Sequence, residues 1–382
     1  MFPRFSKLCT AAAMLALALP ARGASRTDAQ AAPPASGQPA EPAAAQKERG
    51  TRLKIRTPVE VYYTSNLFRI KDRHLNNFDG NLGPGERFDG IDSLGDLVLR
   101  PGARLLVDVP LGKKRDAVFG LGADYTLHLQ NGIANYPRLA ATVETDLTKH
   151  DKLDLDVKVV PRRFKKNYHV PFSPDLSFPF EHGYVREIDV AARYDREWTR
   201  AVSSWFEFAH ERSEFEDPFK NRDSVLNEGR VAIALDVGHK SKIEFGAGFG
   251  VSGSPGEVEQ TLTYPGGIVV DRSFRRVLVL AHAHFAPAAR WDVDAELEIR
   301  NRTFTSDVPE DVVHFDRSDM LYRAELNLTR KIAAGLYFEA FGGFTLDRSN
   351  RPETDLTPDE AGYKEAVLGV GLQWRTSLGG GR

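Results

Sequence analysis

The chain has 382 residues, 53 acidic against 51 basic, for a formal net charge of −2. So even a balance offers none of the basic excess that a nucleic-acid surface requires, and nucleic acid is excluded as a partner. After the N-terminus no stretch approaches the eighteen or so apolar residues of a membrane helix. Hydropathy alone would then describe a soluble protein, but a membrane β-barrel escapes that test because every second residue faces its interior.

In chain order, the first element reads as an export signal over 1–23. Arg4 and Lys7 give a positive start, 10–19 is a short apolar run, Pro20 breaks it, and Ala21 to Gly23 supply small residues for cleavage. The single cysteine, Cys9, lies within that signal, so the mature chain is expected to carry neither a lipoprotein anchor nor a disulfide. Residues 24–56 are rich in Ala and Pro, a composition with little to bury, and read as a disordered periplasmic linker. Its end is basic, with Lys47, Arg49, Arg52, Lys54 and Arg56.

From 57 to the C-terminus a ten-residue pattern recurs. In 116–130, Phe119, Leu121, Tyr125 and Leu127 share one face, while Asp116, Asp124, His128 and Gln130 share the other. Period-two alternation of this length means a strand with one apolar and one wet face. Strands are predicted at 57–69, 94–109, 116–129, 137–147, 152–164, 184–195 and 201–214, then at 225–237, 241–250, 274–286, 290–304, 318–330, 333–348 and 363–376. The connections alternate strictly between short (111–115, 148–151, 196–200, 238–240, 287–289, 331–332) and long (70–93, 130–136, 165–183, 215–224, 251–273, 305–317, 349–362). Short periplasmic turns alternating with longer surface loops characterise bacterial outer-membrane barrels. The expected fold is therefore all-β, a transmembrane antiparallel up-and-down barrel of about 14 strands in the cell outer membrane. A soluble sandwich or propeller would use shorter strands and need not alternate its turns.

Trp198, Trp205, Trp291 and Trp374 fall near short turns, where an interfacial girdle would place them. Tyr125, Tyr184, Phe215, Phe304 and Tyr363 fall near the opposite ends, as a second girdle requires. The apolar face is clean, for example Leu153, Leu155, Val157 and Val159. The polar face carries Asp154, Asp156, Lys158 and Arg162 on one strand, and Asp292, Asp294, Glu296, Glu298 and Arg300 on another. Fourteen strands leave room for water, so these charges line a hydrated lumen. There they either brace the wall or set selectivity, the acidic run then favouring cations or polyhydroxylated solutes. Arg276, Arg323, Arg100 and Arg104 offer counter-charges from other strands.

Catalytic patterns are missing. No Gly-x-Ser-x-Gly elbow or His-Glu-x-x-His helix occurs, and Glu207 and His210 would point to opposite faces of their strand. His282 and His284 share a face about 7 Å apart. They are the only metal candidates, without a third ligand evident, so neither metal nor cofactor is expected. The loop 165–183 holds Tyr168, Phe172, Phe178 and Phe180 among prolines, and would either constrict the lumen or pack on its neighbours.

The opening Val61-Tyr-Tyr-Thr-Ser-Asn-Leu-Phe-Arg69 resembles the "Tyr-Asp-Ser-Asn-hydrophobic-Phe/Tyr-Arg" start of an outer-membrane β-barrel porin family of the exopolysaccharide-operon type, with Thr64 in place of Asp. The resemblance implies a porin fold and partners among polysaccharide-export proteins. Gly369, Leu372 and Trp374 resemble an outer-membrane assembly signal, which implies the assembly machinery as a partner, although Val367 and the tail 377–382 depart from it. The location itself makes outer-membrane lipid and lipopolysaccharide partners. The expectation is a porin-like channel for small hydrophilic solutes or surface-polysaccharide export, not an enzyme. The alternative is a closed barrel with a structural or surface-interaction role.

Overall fold

Fourteen strands close on themselves with no free edge. The computed structural model describes residues 51–70, 78, 86–111, 115–169, 180–238, 240–254, 257–259, 268–307, 309, 311, 314–350 and 362–378. The first seven barrel strands are β1 (Arg52–Thr64), β2 (Asp96–Pro110), β3 (Asp116–His128), β4 (Tyr136–Asp146), β5 (Asp151–His169), β6 (Phe180–Glu197) and β7 (Val202–Phe215). Then come β8 (Ser224–Gly238) and β9 (Ser241–Gly253), and a two-stranded loop hairpin of β10 (Glu257–Glu259) and β11 (Ile268–Val270). The remaining strands are β12 (Phe274–Ala288), β13 (Trp291–Phe304), β14 (Ser318–Ala333), β15 (Leu336–Ser349) and β16 (Lys364–Leu378). Each barrel strand pairs antiparallel with its chain neighbour, β9 with β12 across the loop hairpin, and β1 with β16 to close the ring. Closure is what the alternation demands, since it satisfies every ladder while sending one face of each strand inward.

The boundaries depart from expectation where the alternation was broken or masked by charge. β1 opens at Arg52, because Leu53 and Ile55 extend the outward series of Val59 and Val61 and pair with Leu378 and Thr376 of β16. The basic residues between them give this segment the composition of a linker. β5 and β6 run deep into the expected loop 165–183, so Tyr168 and Phe180 belong to strands, while Phe172 and Phe178 lie outside the described residues. The turn expected at 331–332 falls at 334–335. There Gly335 takes φ +75°, and a Cβ would stand 2.4 Å from the Arg375 carbonyl oxygen. The signal and most of the linker, residues 1–50, lie outside the described residues.

One irregularity matters for the interior. The β5–β6 pairing shifts register between Val160 and Arg163, and again between Phe164 and Lys166. A bulge reverses the side-chain parity beyond it. Arg162, expected inside with Lys158, is turned out to pair with Glu216 at 2.7 Å. Arg163 takes the inward position and reaches Glu187 at 2.5 Å, which Lys165 also holds at 2.7 Å.

Candidate functional site

The site is the inner wall. Asp292, Asp294, Glu296, Glu298 and Arg300 alternate with exposed Leu297 and Ile299 on β13, which puts all five inside. They do not form a free acidic run. His284 Nδ1 lies 2.9 Å from Asp294, His282 Nε2 lies 3.3 Å from the same carboxylate, and Arg300 pairs with Glu298. Asp154 binds Lys152 at 2.9 Å and Asp156 binds Lys158 at 2.8 Å, each pair within one strand. The expected cross-strand arginines find other partners. Arg100 pairs with Glu60, Arg323 with Glu325, and Arg276 with Glu228. The wall is thus a lattice of short-range pairs of mixed sign. Of the carboxylates that anchor it, Glu187 is legible from its alternation with Ile188 and Val190 on β6, whereas Glu228 and Glu244 are not, since nothing local marks them. The His284–Asp294 contact was countable, because the two stand directly opposite across a tight turn.

Two contacts bridge a whole strand. The indole N–H of Trp205 on β7 donates to Glu244 on β9 at 3.2 Å, passing over Ala232 and Ala234 of β8. Arg276 on β12 donates to Glu228 on β8 over Gly250 of β9, which is the register partner of both. Small residues on the middle strand make this reach possible. A Cβ on Gly248 would stand 3.0 Å from Arg230 and 3.1 Å from Leu278.

This arrangement corrects the tryptophan girdle. Trp205 is only 6% exposed and faces inward, with the Arg193 guanidinium 4.4 Å from its ring, while Phe206 and Phe208 face out. A buried indole needs an acceptor, and Glu244 supplies it. Trp198, Trp291 and Trp374 lie on the outer face at the short-turn end, with Arg196 stacked over Trp198 at 4.8 Å and Arg330 over Trp291 at 4.7 Å. Among the aromatics expected at the other end, Tyr125 is exposed, but Phe304 and Tyr363 are buried under loop residues. Phe304 packs on His314 at 5.0 Å and under Arg317. Its even position on β13 points inward, which the expected girdle overlooked.

The wall is wet on one side and filled on the other. Asp156 and Lys158 keep 31% and 29% of their side-chain surface open. On β8, β9 and β12, Leu278 is fully covered, and Glu228, Glu244 and Arg276 are buried. The histidine pair sits near the short-turn end of β12, with Glu244 of β9 3.8 Å from His282. Among the described residues no group of three or more His, Cys, Asp or Glu is arranged to hold a metal ion. Both histidines are accounted for as carboxylate partners.

At the long-loop end the opening motif closes the seam between first and last strands. Ser65 exchanges hydrogen bonds with Ala366 at 2.8 and 2.9 Å. Buried Asn66 binds both backbone groups of Ile70 at 2.8 Å and the Lys364 carbonyl at 3.0 Å. Phe68 enters a small core with Ile70, Phe88, Ile91, Ala134 and Phe164, and Arg69 pairs with Glu365 at 3.3 Å. Tyr168 packs on Phe219 on the opposite side of the β5–β6 hairpin.

No family model matches the chain, and no curated protein matches it by sequence. Solved structures resemble it in fold. The outer membrane channel DcaP of Acinetobacter baumannii aligns over 86% of this chain and 97% of its own at 10% identity, TM-score 0.42. The toluene transporter TbuX of Ralstonia pickettii aligns over 87% and 90% at 8% identity, TM-score 0.41. An anion-selective porin from Comamonas acidovorans aligns over 86% and 100% at 8% identity, TM-score 0.39. Those names differ in what they carry, and no solute passes from them to this chain.

Proposed function

We propose that this protein is a porin-like channel of the bacterial outer membrane, passing small hydrophilic solutes rather than performing chemistry on them. The observation that carries the reading is the pairing of faces on one closed barrel. The exterior exposes Leu121, Phe245, Val279, Leu297 and Leu372 along with many like them. Such a surface, running round the whole molecule, far exceeds the few hundred Å² of apolar patch that a soluble monomer tolerates. The interior holds ion pairs that keep contact with water. Even β4, the shortest barrel strand at 11 residues, reaches about 36 Å along its axis and about 28 Å when tilted by about 40°. That matches a hydrocarbon core of about 30 Å.

The buried side chains of β8, β9 and β12 narrow the lumen on one side, and the open Asp156–Lys158 pair on β5 marks the route on the other. Both signs of charge along that route suit neutral polyhydroxylated or weakly cationic solutes. Polysaccharide export, the finer reading, rests on the resemblance at Val61–Arg69, and those residues act here as a seam latch. The filled sector and the loop core around Phe68 favour a second reading, a closed barrel with a structural role. Liposome swelling separates the two. Proteoliposomes should swell in sugars of low mass and slow as the sugar grows, whereas swelling no faster than in empty liposomes supports the closed barrel.

A further inference from the structure

The outer face of the β5–β7 sector changes character at its long-loop end. On β6 the outward positions run Val190, Ile188, Arg186, and on β7 they run Phe206, Phe208, His210, Arg212. The β5 bulge adds Arg162 to the same face. These arginines hold 55%, 54% and 54% of their side-chain surface open at Arg162, Arg186 and Arg212. Arg162 lies 3.6 Å from the centroid of the Tyr184 ring, which fixes its guanidinium in place. Two carboxylates share the patch. Glu214 takes Arg212 at 2.6 Å and Arg186 at 3.6 Å, and Glu216 takes Arg162 at 2.7 and 2.9 Å. Asp223 lies within electrostatic reach of Arg212 and Glu214, and Lys220 beside it pairs with Asp217, so the arginine forks are exposed on a patch whose charges balance.

From Phe208 to Arg212 is four residues, about 13 Å along the strand. That distance carries the wall from the apolar belt into the headgroup layer, which together with its opposite face adds about 10 to 15 Å to the hydrocarbon core. Arginine forks match phosphate oxygens, and weakly hydrated guanidinium groups tolerate a half-buried interface.

We propose that the outward face formed by Arg162, Arg186 and Arg212 binds the phosphorylated glucosamine headgroup of lipid A in the outer leaflet, its acyl chains lying on Phe206 and Phe208. The proposal rests on the membrane reading above. The phosphates meet the open sides of the three guanidinium forks and draw Arg186 from its long contact with Glu214.

The test uses the full chain in detergent micelles, with lipid retention read by native mass spectrometry. Heat-modifiable gel mobility is scored first. A chain that migrates identically boiled and unboiled overturns the barrel reading itself, separately from the lipid site. For a heat-modifiable barrel, R162Q/R186Q/R212Q should weaken lipid A binding at least tenfold, and R275Q/R348Q, at outward positions elsewhere on the rim, should not. Lipid A stripped of both phosphates should bind the wild type no better than the triple variant. Phosphatidylglycerol should bind less tightly than lipid A. Equal lipid A binding by wild type and triple variant, or equal binding of the stripped lipid, would overturn the site.

Discussion

Trp205 and Glu244 are joined at 3.2 Å although a complete strand separates them. The bond exists because Ala232 and Ala234 leave a shallow trough on β8. Trp205→Phe should cost about 1 to 2 kcal/mol by removing the donor from a buried carboxylate. Ala234→Leu should cost as much or more by filling the trough. Urea unfolding in lipid vesicles checks both. A double variant no worse than the poorer single one shows that they act on the same contact.

Gly369 makes a second close approach. A Cβ there would stand 2.4 Å from Tyr62 Cβ and 2.7 Å from the Phe341 ring, inside the lumen. Gly369→Ala should lower stability by about 1 to 3 kcal/mol through overpacking. Gly132→Ala, where nothing lies within 4 Å of the added carbon, should be near neutral. Equal midpoints for the two variants would show that the wall yields at Gly369.

Asn66 makes three hydrogen bonds at the seam of β1 and β16. Asn66→Ala should destabilise this end of the barrel by about 2 kcal/mol, the cost of orphaned backbone groups. Hydrogen exchange should quicken at Ile70 and its neighbours while the amides of β12 and β13 stay protected. Loss spread evenly over all strands would mean that the latch governs global stability instead.

The loop after β13 should be sensitive to acid. Burial pushes the Asp311 carboxyl up, but hydrogen bonds from His314 and from the Asp271 amide outweigh it and hold it below its ordinary range. A depressed carboxylate contributes stability above its unfolded value of about 3.9 and loses it as pH falls through the lower folded value. Amide protection of this loop should be flat from neutral pH to about 5 and fall below about 4. Asp311→Asn should remove that acid-dependent step; an unchanged step would assign it to another carboxylate.

How far the sequence led depends on what each element's alternation could carry. β13 is readable because apolar and polar residues take turns from Trp291 to Arg300, and its bounds fall within a residue of expectation. Trp205 was misplaced because β7 is apolar on both faces, with Phe206, Phe208 and Ala209 beside it, so parity has no marker. Arg162 was misplaced because a bulge leaves no trace in composition. The trough under Trp205 and the Arg276–Glu228 bridge depend on strands that meet only after the sheet has formed. The loop hairpin of β10 and β11 is three residues a side, too short for any period to show.

Lumen charge gives a sharper test of selectivity. Asp294 holds both His282 and His284, and Asp292 lies beyond them toward the short-turn end. Replacing both with Asn should lower the cation-to-anion permeability ratio, seen as a shift of reversal potential toward the anion side in a salt gradient. A ratio unchanged within error would make these carboxylates braces of the wall.

The most direct measurement of the central claim is single-channel current across a planar bilayer containing the purified full-length barrel. The channel reading predicts discrete steps of reproducible size that scale with salt concentration and favour cations. Repeated insertion of heat-modifiable protein without any reproducible conductance step would contradict it and leave the closed barrel.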